Sequence, residues 1–474
     1  MTRRILILAA GVGSGHNQAA GAIESALAGL PDAGEVRRLD ILETTNGVFN
    51  RLYDDAYFAL VAEVPWLVGW GYDHQDPPFK LAPMVQWWDQ LNTLPVVREI
   101  RDYDPDVVIC THFLPARMVA LMLARRQLQA TLTVVATDYD FQGLWLASPF
   151  TRFFVAREET RVYMTQIGVP QDRVEVSGIP VRPDLAEPVD SAAVRQRFGL
   201  HPELPVVLIS AGAAGGSYTL QVIRQVLRSE QPYQAVVVCG RNEELKAQVE
   251  ELVAEQPDRF RVLGYTTEMA DLMRISCLFV GKPGGLSSSE CMAAGLPMVL
   301  VKPIPGQEVR NADYLLEAGA AVRCNYPTTV GYKIDQLLAD PGRLAAMAAS
   351  ARRIGFPHAA QTIAERSLAA PAVPLWISRD AQKSISKAGE DGIAAVDLEA
   401  GAQLRTLRDR ETGGSLAVFT QTQLEILGVT PLSRAVELDV RTVKSLRWQP
   451  ENLDLAVAGK WLLGDTESQL FSLD

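Results

Sequence analysis

Short, almost unbroken apolar runs alternate with helical patterns from the first residues of this chain. Residues 5–10, 107–110, 131–137 and 153–156 are rich in Ile, Leu, Val, Phe and Ala. Hydrophobicity that is continuous rather than alternating belongs to strands covered on both faces, and so to a parallel sheet. Helical spacing over 17–30 and 117–129 supplies the covering layer. The same pattern restarts at 205–211 and continues through 235–239, 262–264, 277–280 and 298–301. Between the two series lies Gly178-Ile179-Pro180-Val181-Arg182-Pro183, with further proline and acidic residues up to Val189, which reads as a hinge. The expected core is α/β: two doubly wound domains facing each other across a cleft, with ligand at the carboxyl ends of the strands.

Residues 352–369 read as one further helix, after which Pro371-Ala372-Val373-Pro374 punctuates the chain. Beyond it, 415–422, 435–442 and 453–463 carry partial period-two or short apolar patterns. A small β-rich accessory domain is expected there, with nothing in it that suggests chemistry. The predicted division is 1–183, 184–370 and 371–474, with the 352–369 helix available to pack back on the first domain.

Composition narrows the field. The chain has 474 residues, 48% of them hydrophobic and 21% charged, as in a soluble globular protein. A net charge of −11 and a pI near 5.2 argue against nucleic acid as the partner. The sequence offers no apolar run long enough to span a bilayer, and Met1–Ala10 runs into Gly-Val-Gly-Ser-Gly, so it reads as a first strand rather than a signal peptide. The five cysteines are isolated and without Cys-x-x-Cys spacing, which points to reduced thiols in a cytoplasmic protein.

Two loops are the richest in candidate chemistry. Lys282-Pro283-Gly284-Gly285-Leu286-Ser287-Ser288-Ser289-Glu290 follows an apolar strand and opens into a helix near Leu286. Consecutive glycines let backbone N–H groups approach a ligand, and the helix start behind them suits a diphosphate. Ser287-x-x-Glu290 equally fits a capping box, in which Glu290 only closes the helix start. Pro303-Ile304-Pro305-Gly306-Gln307-Glu308 follows the next strand and offers Gln307 and Glu308 to sugar hydroxyls. Together the loops suit a nucleotide-sugar.

Gly11-Val12-Gly13-Ser14-Gly15-His16 lies between the first strand and its helix, and satisfies neither the dinucleotide fingerprint nor the P-loop. It aims His16 into the cleft from a helix N-terminus, whose dipole favours the neutral ring that a general base needs. His112, at another strand end, has a similar but weaker claim. Asp138-Tyr139-Asp140 imitates an Asp-x-Asp metal pair, but no other ligands are spaced to complete a set, so no metal is expected. Asp138 reads as a cleft carboxylate or a cap. Four of the eight tryptophans, Trp66 and Trp70 among them, fall between 66 and 88 with several prolines. That segment fits a core helix pair or a surface dipping into lipid headgroups.

In combination these motifs resemble the diacylglycerol glycosyltransferases, the family of monogalactosyldiacylglycerol synthase and processive diacylglycerol glucosyltransferase (glycosyltransferase family 28 type). The chain is more distantly similar to the transferase that adds N-acetylglucosamine to the peptidoglycan lipid precursor. The resemblance rests on Gly13-Ser14-Gly15-His16-Asn17-Gln18-Ala19-Ala20, on Ser177–Pro183, on Gly264-Tyr265, on Lys282–Gly285 with Glu290, and on Pro303–Glu308 with Asn311. It covers roughly 4–369 and leaves out the tail. It implies a GT-B fold and an inverting, metal-independent, cofactor-free transfer of glucose or galactose from UDP-glucose or UDP-galactose to diacylglycerol, making a membrane glycolipid. The enzyme would be cytoplasmic, held peripherally at the inner face of the cell membrane. Gly284, Gly285, Leu286 and Ser287 would hold the diphosphate, with Lys282 in the same motif. Glu290 would hold the ribose, Gly264 and Tyr265 the base, Gln307 and Glu308 the sugar. His16 and Asp138 would be catalytic. Gly15, His112, Gln142, Trp145, Trp66 and Trp70 would lie on the acceptor side. One departure matters: the family's Thr-Asp-x-x-x-His-x-x-Trp reads Thr137–Trp145 here with Gln142 in place of histidine. Glutamine takes no proton from an alcohol, so another residue is the base, another lipophilic alcohol is the acceptor, or the protein is a non-catalytic binder.

Overall fold

The computed structural model describes residues 2–11, 15–44, 77–79, 94–212, 218–370, 374–377, 382–383, 385–386, 406–408, 415–420 and 468–473. Six strands form the first sheet: β1 (Arg3–Ala9), β2 (Ala33–Asp40), β3 (Val107–Cys110), β4 (Thr131–Val135), β5 (Arg152–Val155) and β6 (Val174–Val176). Their order is β2-β1-β3-β4-β5-β6 and every pairing is parallel. A second sheet comprises β7 (Val206–Ser210), β8 (Gln234–Val238), β9 (Phe260–Leu263), β10 (Leu278–Gly281), β11 (Met298–Val301) and β12 (Ala321–Cys324). It too is wholly parallel, in the order β12-β11-β10-β7-β8-β9.

Continuous apolar strands are explained by their two covered faces. Leu6 and Leu8 of β1 enter one core, while Ile5 and Ile7 enter the core on the opposite face. Val206 and Leu208 of β7 part from Val207 and Ile209 in the same way. The strands that lack this signature, β2, β6 and β12, lie at sheet edges, and β2 is largely solvent-facing.

The helices packed against these sheets include α1 (Gly15–Leu27), α2 (Leu94–Tyr103), α3 (Phe113–Ala124), α4 (Gly285–Ala294), α5 (Gln307–Glu317), α6 (Pro341–Ile354) and α7 (Ala359–Leu368). The single helix expected over 352–369 is two. Gly355 is extended (φ −80°, ψ 146°), and a side chain on it would sit 2.3 Å from the Met292 carbonyl of α4, so the chain turns there. Pro357, two residues on, lacks the N–H that would continue the ladder. Ile363, Ala364 and Leu368 of α7 then enter the core formed by Ile5, Ala20 and Ile23, so the chain ends this layer on the first sheet. At the crossing, Gly178 adopts φ +76°, and a Cβ there would meet Phe356 at 2.4 Å.

Beyond Pro374 the backbone of Leu375 pairs antiparallel with Phe150. Farther on, β13 (Thr406–Arg408), β14 (Ser415–Thr420) and β15 (Ser468–Leu473) form an antiparallel sheet with β14 central. The expected strands at 435–442 and 453–463 lie outside the described residues. Among the described residues no helix is long and apolar enough to cross a membrane.

Candidate active site

The β1–α1 turn is fixed by Asp40 at the end of β2. Its carboxylate accepts from the Gly11 N–H at 3.0 Å and from the Asn17 amide at 2.6 Å. His16, the second residue of α1, is thereby set against two strand ends. Its Nδ1 lies 2.9 Å from the Thr111 carbonyl and 2.9 Å from the Thr137 hydroxyl. A carbonyl only accepts, so Nδ1 carries the hydrogen and Nε2 keeps its lone pair. Burial pushes the ring down to about 4, outweighing the Thr111 carbonyl and the Asp40 charge, which favour the proton. Desolvation, rather than the helix dipole expected from the sequence, is thus the main reason the ring is neutral.

His112 caps α3: its Nδ1 accepts from the Leu114 N–H at 3.1 Å. Its hydrogen therefore sits on Nε2, the opposite tautomer to His16. The two rings are perpendicular, with centroids 4.5 Å apart. Burial first, and His16 second, hold His112 well below the usual histidine range. Trp145 lies 6.4 Å from His16 and 6.2 Å from His112 and donates its indole N–H to Asp138 at 3.2 Å. The other Asp138 oxygen is buried with no partner among the described residues. Burial pushes this carboxyl up to about 7; the Trp145 hydrogen bond opposes that and the Asp140 charge adds to it.

Gln142 has a job that explains its presence. Its Oε1 accepts from the Leu144 N–H at 2.7 Å, capping the one-turn helix that carries Trp145. His112 caps α3 through the same i to i+2 contact with an imidazole nitrogen, so either side chain type can do this. Asp140 is bound at 3.2 Å to Arg157 and at 3.2 Å to Arg310, which removes it as a free base or metal ligand.

On the second sheet, α4 follows β10 and starts at Gly285 with Gly284 as its N-cap and no side-chain cap. Ser287 is therefore inside the helix, and the capping box that Ser287 and Glu290 suggested does not form. Glu290 is buried one turn in, without a side-chain hydrogen bond among the described residues. The two glycines serve different needs. Among the described residues a Cβ on Gly284 meets nothing within 4 Å, whereas on Gly285 it would lie 2.2 Å from the Thr137 carbonyl. A Cβ on Gly15 would be 3.8 Å from that of Leu286, so the N-termini of α1 and α4 face each other. Ser289 and the Tyr139 hydroxyl share a 2.8 Å hydrogen bond across the same seam. Asn311, buried in α5, donates to the Pro283 carbonyl at 3.1 Å and accepts from the Tyr139 N–H at 3.3 Å.

Gly306 (φ +90°) starts α5 and places Gln307 and Glu308 in its first turn. One Glu308 oxygen accepts from the Ile304 N–H at 2.7 Å. Burial raises this carboxyl, against the Ile304 N–H and the Lys282 charge. The Lys282 ammonium lies 5.8 Å from the Tyr218 ring centre. Gly264 and Tyr265 follow β9 on the second sheet, where the exposed Tyr265 ring carries the Arg241 guanidinium at 5.2 Å. Trp66 and Trp70 lie outside the described residues.

A family model described as monogalactosyldiacylglycerol (MGDG) synthase matches residues 16–181, and one described as glycosyl transferases group 1 matches 204–354. The processive diacylglycerol beta-glucosyltransferase of Bacillus pumilus is 31% identical over 268 residues, covering 56% of this chain and 69% of its own length. The protein of the same name from Bacillus cereus (strain AH187) is 29% identical over 77% of this chain and 93% of its own. The chain belongs to the diacylglycerol glycosyltransferase family. Among solved structures, Acinetobacter baumannii MurG aligns with a TM-score of 0.47 at 17% identity, over 77% of this chain and 98% of that one. Anabaena HepE with UDP and glucose aligns at 0.46 and 17% identity, over 77% and 98%.

In this glycosyltransferase the first family match ends at residue 181, within the 178–183 segment, and the second begins at residue 204. The residues that sequence reading missed are the connectors Thr111, Thr137, Tyr139 and Arg310. Thr111 and Thr137 follow strand ends and Arg310 lies in α5; Thr137 and Tyr139 stand inside the Thr137–Trp145 motif without having been assigned a role there.

Glu290 in this glycosyltransferase carries a stability signature. Burial pushes it up to about 7 from an ordinary 4.5; Arg182 opposes the rise and Asp184 adds to it. The folded protein therefore keeps a proton that the unfolded chain gives up, and stability falls as pH rises from about 4.5 to about 7. Glu290→Gln removes the cost. Urea denaturation should find the variant more stable than wild type by about 1–3 kcal/mol at pH 8 and equal to it near pH 4.

Proposed function

We propose that this glycosyltransferase has GT-B architecture and transfers glucose or galactose from the UDP-sugar to the free hydroxyl of diacylglycerol, with inversion and without a metal. Residues 1–183 form the acceptor domain, 184–370 the donor domain, and 371–474 an accessory region. The observation that carries the reading is the opposition of two helix starts. The α1 start presents a base lone pair on His16, and the α4 start presents Gly284, clear of side-chain neighbours among the described residues. The names of the Bacillus relatives support diacylglycerol as acceptor.

The backbone N–H groups around Gly284, Gly285, Leu286 and Ser287, with the α4 dipole and Lys282, hold the diphosphate and favour the charge that grows on departing UDP. Glu290 holds the ribose diol, and Gly264 with Tyr265 the base. Gln307 and the Glu308 oxygen not taken by Ile304 hold the sugar hydroxyls. His16 Nε2 receives the acceptor's proton as its oxygen attacks the anomeric carbon from the face opposite UDP. The bond from that carbon to the diphosphate breaks, and its electron pair leaves with UDP. Ionised Asp138 then favours the imidazolium. The role of Gln142 as a cap supports catalysis without the family histidine, because a histidine there would have served the same contact. The acceptor reaches the site from the membrane surface at the inner face of the cell membrane.

UDP release from UDP-glucose or UDP-galactose should depend on added diacylglycerol, and thin-layer chromatography should show the glycolipid. Turnover only with another lipid alcohol would replace the acceptor; none with any lipid would end the reading. Because the Asp138 carboxyl is protonated below about 7, kcat/KM for the acceptor should rise through that pH and level off above it. Asp138→Asn should lower and flatten the profile.

A further inference from the structure

His112 is a second buried ring that the proposed reaction leaves without chemical work. Its tautomer is fixed as firmly as that of His16, and in the opposite sense. The Thr111 carbonyl holds the hydrogen of His16 on Nδ1 at 2.9 Å. The Leu114 N–H, donating to Nδ1 of His112 at 3.1 Å, leaves the hydrogen of His112 on Nε2. Both partners are main-chain groups, one from the residue ahead of His112 and one from its own helix start, so the difference is built into the β3–α3 turn. One ring then offers a lone pair and its neighbour offers an N–H.

We propose that His16 and His112 read the acceptor hydroxyl at two points: the hydroxyl donates to His16 Nε2 and accepts from His112 Nε2–H. Rings at right angles with centroids 4.5 Å apart allow both nitrogens to lie within hydrogen-bond reach of one oxygen. Trp145 closes the pair from the side, and Phe113 packs on His112 with centroids 4.2 Å apart, so neither ring can turn freely. An alcohol satisfies both nitrogens at a single atom, because its oxygen both donates and accepts. An ammonium cannot accept, and an ester or ether oxygen cannot donate. The pair therefore selects a free alcohol over an amine-bearing or fully esterified lipid. As the proton passes to His16, negative charge grows on the oxygen, and the His112 N–H stabilises it. His112 is thus a catalytic residue that contacts the acceptor.

The inference rests on the proposed function, and its test separates the two. Nitrogen-15 NMR of the full-length protein labelled at histidine should find His16 protonated on Nδ1 and His112 on Nε2; the same tautomer on both would overturn the pair whatever the enzyme transfers. His112→Asn keeps an acceptor for the Leu114 N–H, since asparagine is a good N-cap, and removes the Nε2–H. It should retain the wild-type melting temperature and the KM for UDP-sugar, while kcat/KM for diacylglycerol falls about 10²-fold. Unchanged acceptor kinetics in a stable His112→Asn protein would overturn the role of His112 with the proposed function intact. Should wild type turn over no lipid alcohol, the proposed function falls, and the tautomer pattern still decides the pair.

Discussion

His16→Ala is expected to lower turnover by about 10²–10⁴-fold, the range that a positioned general base contributes. The proton that leaves the acceptor has few other places to go. Asp140 is held by two arginines and Gln142 by the Leu144 N–H, and neither can serve as base. Asp138 keeps one free oxygen, so a residual rate that rises with pH through about 7 would report its partial substitution. The variant also leaves the Thr111 carbonyl and Thr137 hydroxyl without their ring nitrogen, at about 1–3 kcal/mol for a buried polar group left unpaired. His16→Gln, which can still donate to that carbonyl, separates folding from catalysis. Isothermal titration with UDP should give the same affinity for wild type and both variants. A His16→Ala protein with wild-type turnover would remove His16 from the mechanism.

Gly285→Ala is the second large effect. The new methyl carbon would sit 2.2 Å from the Thr137 carbonyl, and that contact is backbone against backbone, with no flexible side chain to yield. Either the α4 start or the loop after β4 must move. Thr137 also binds His16, so the shift reaches the base. A displacement near 1 Å costs about 10²-fold in rate, and overpacking of this kind about 1–3 kcal/mol in stability. Gly284→Ala is the matched control. Gly284 has φ −65° and ψ 146°, a conformation open to any residue, and its Cβ would meet none of the described residues within 4 Å. That variant should fold as wild type and weaken UDP binding instead, because the added methyl takes room assigned to the diphosphate. Equal kinetics for both variants would mean that the two glycines do not divide the work between domain contact and ligand.

Much of this was readable in advance because the central strands are covered on both faces. β1, β3, β4, β7, β8, β10 and β11 each stand out as apolar runs, and their loops carry the glycines and polar residues of the site. The strands not foreseen were edges. Ala33–Asp40 carries Glu and Arg towards solvent, and Val174–Val176 is too short to register. At the site, His16, Asp138, Glu290 and Glu308 were legible because each stands at or just past a strand end or a helix start. The partners that define their chemistry were not. That the Thr111 carbonyl selects the His16 tautomer, or that Gly285 is a glycine because of Thr137, depends on backbone atoms 95 to 148 positions away along the chain. Every residue type has a carbonyl, so composition carries no trace of such contacts. The Ser287–Glu290 pattern misled for a related reason: the helix begins three residues earlier than the spacing requires.

The pairing of Leu375 with Phe150 has a consequence for where this protein can be divided. Leu375, Ile377 and Ile385 are buried with the first-domain residues Trp145, Leu146 and Phe150, and the Ile377 N–H is taken by Ser148 at 2.9 Å. Family likeness stops short of this strip, yet the strip belongs to the same folding unit as the wall that bears Trp145. A protease cut just after Ala370 would leave the two six-stranded sheets whole and still strip apolar cover from Trp145, Leu146 and Phe150.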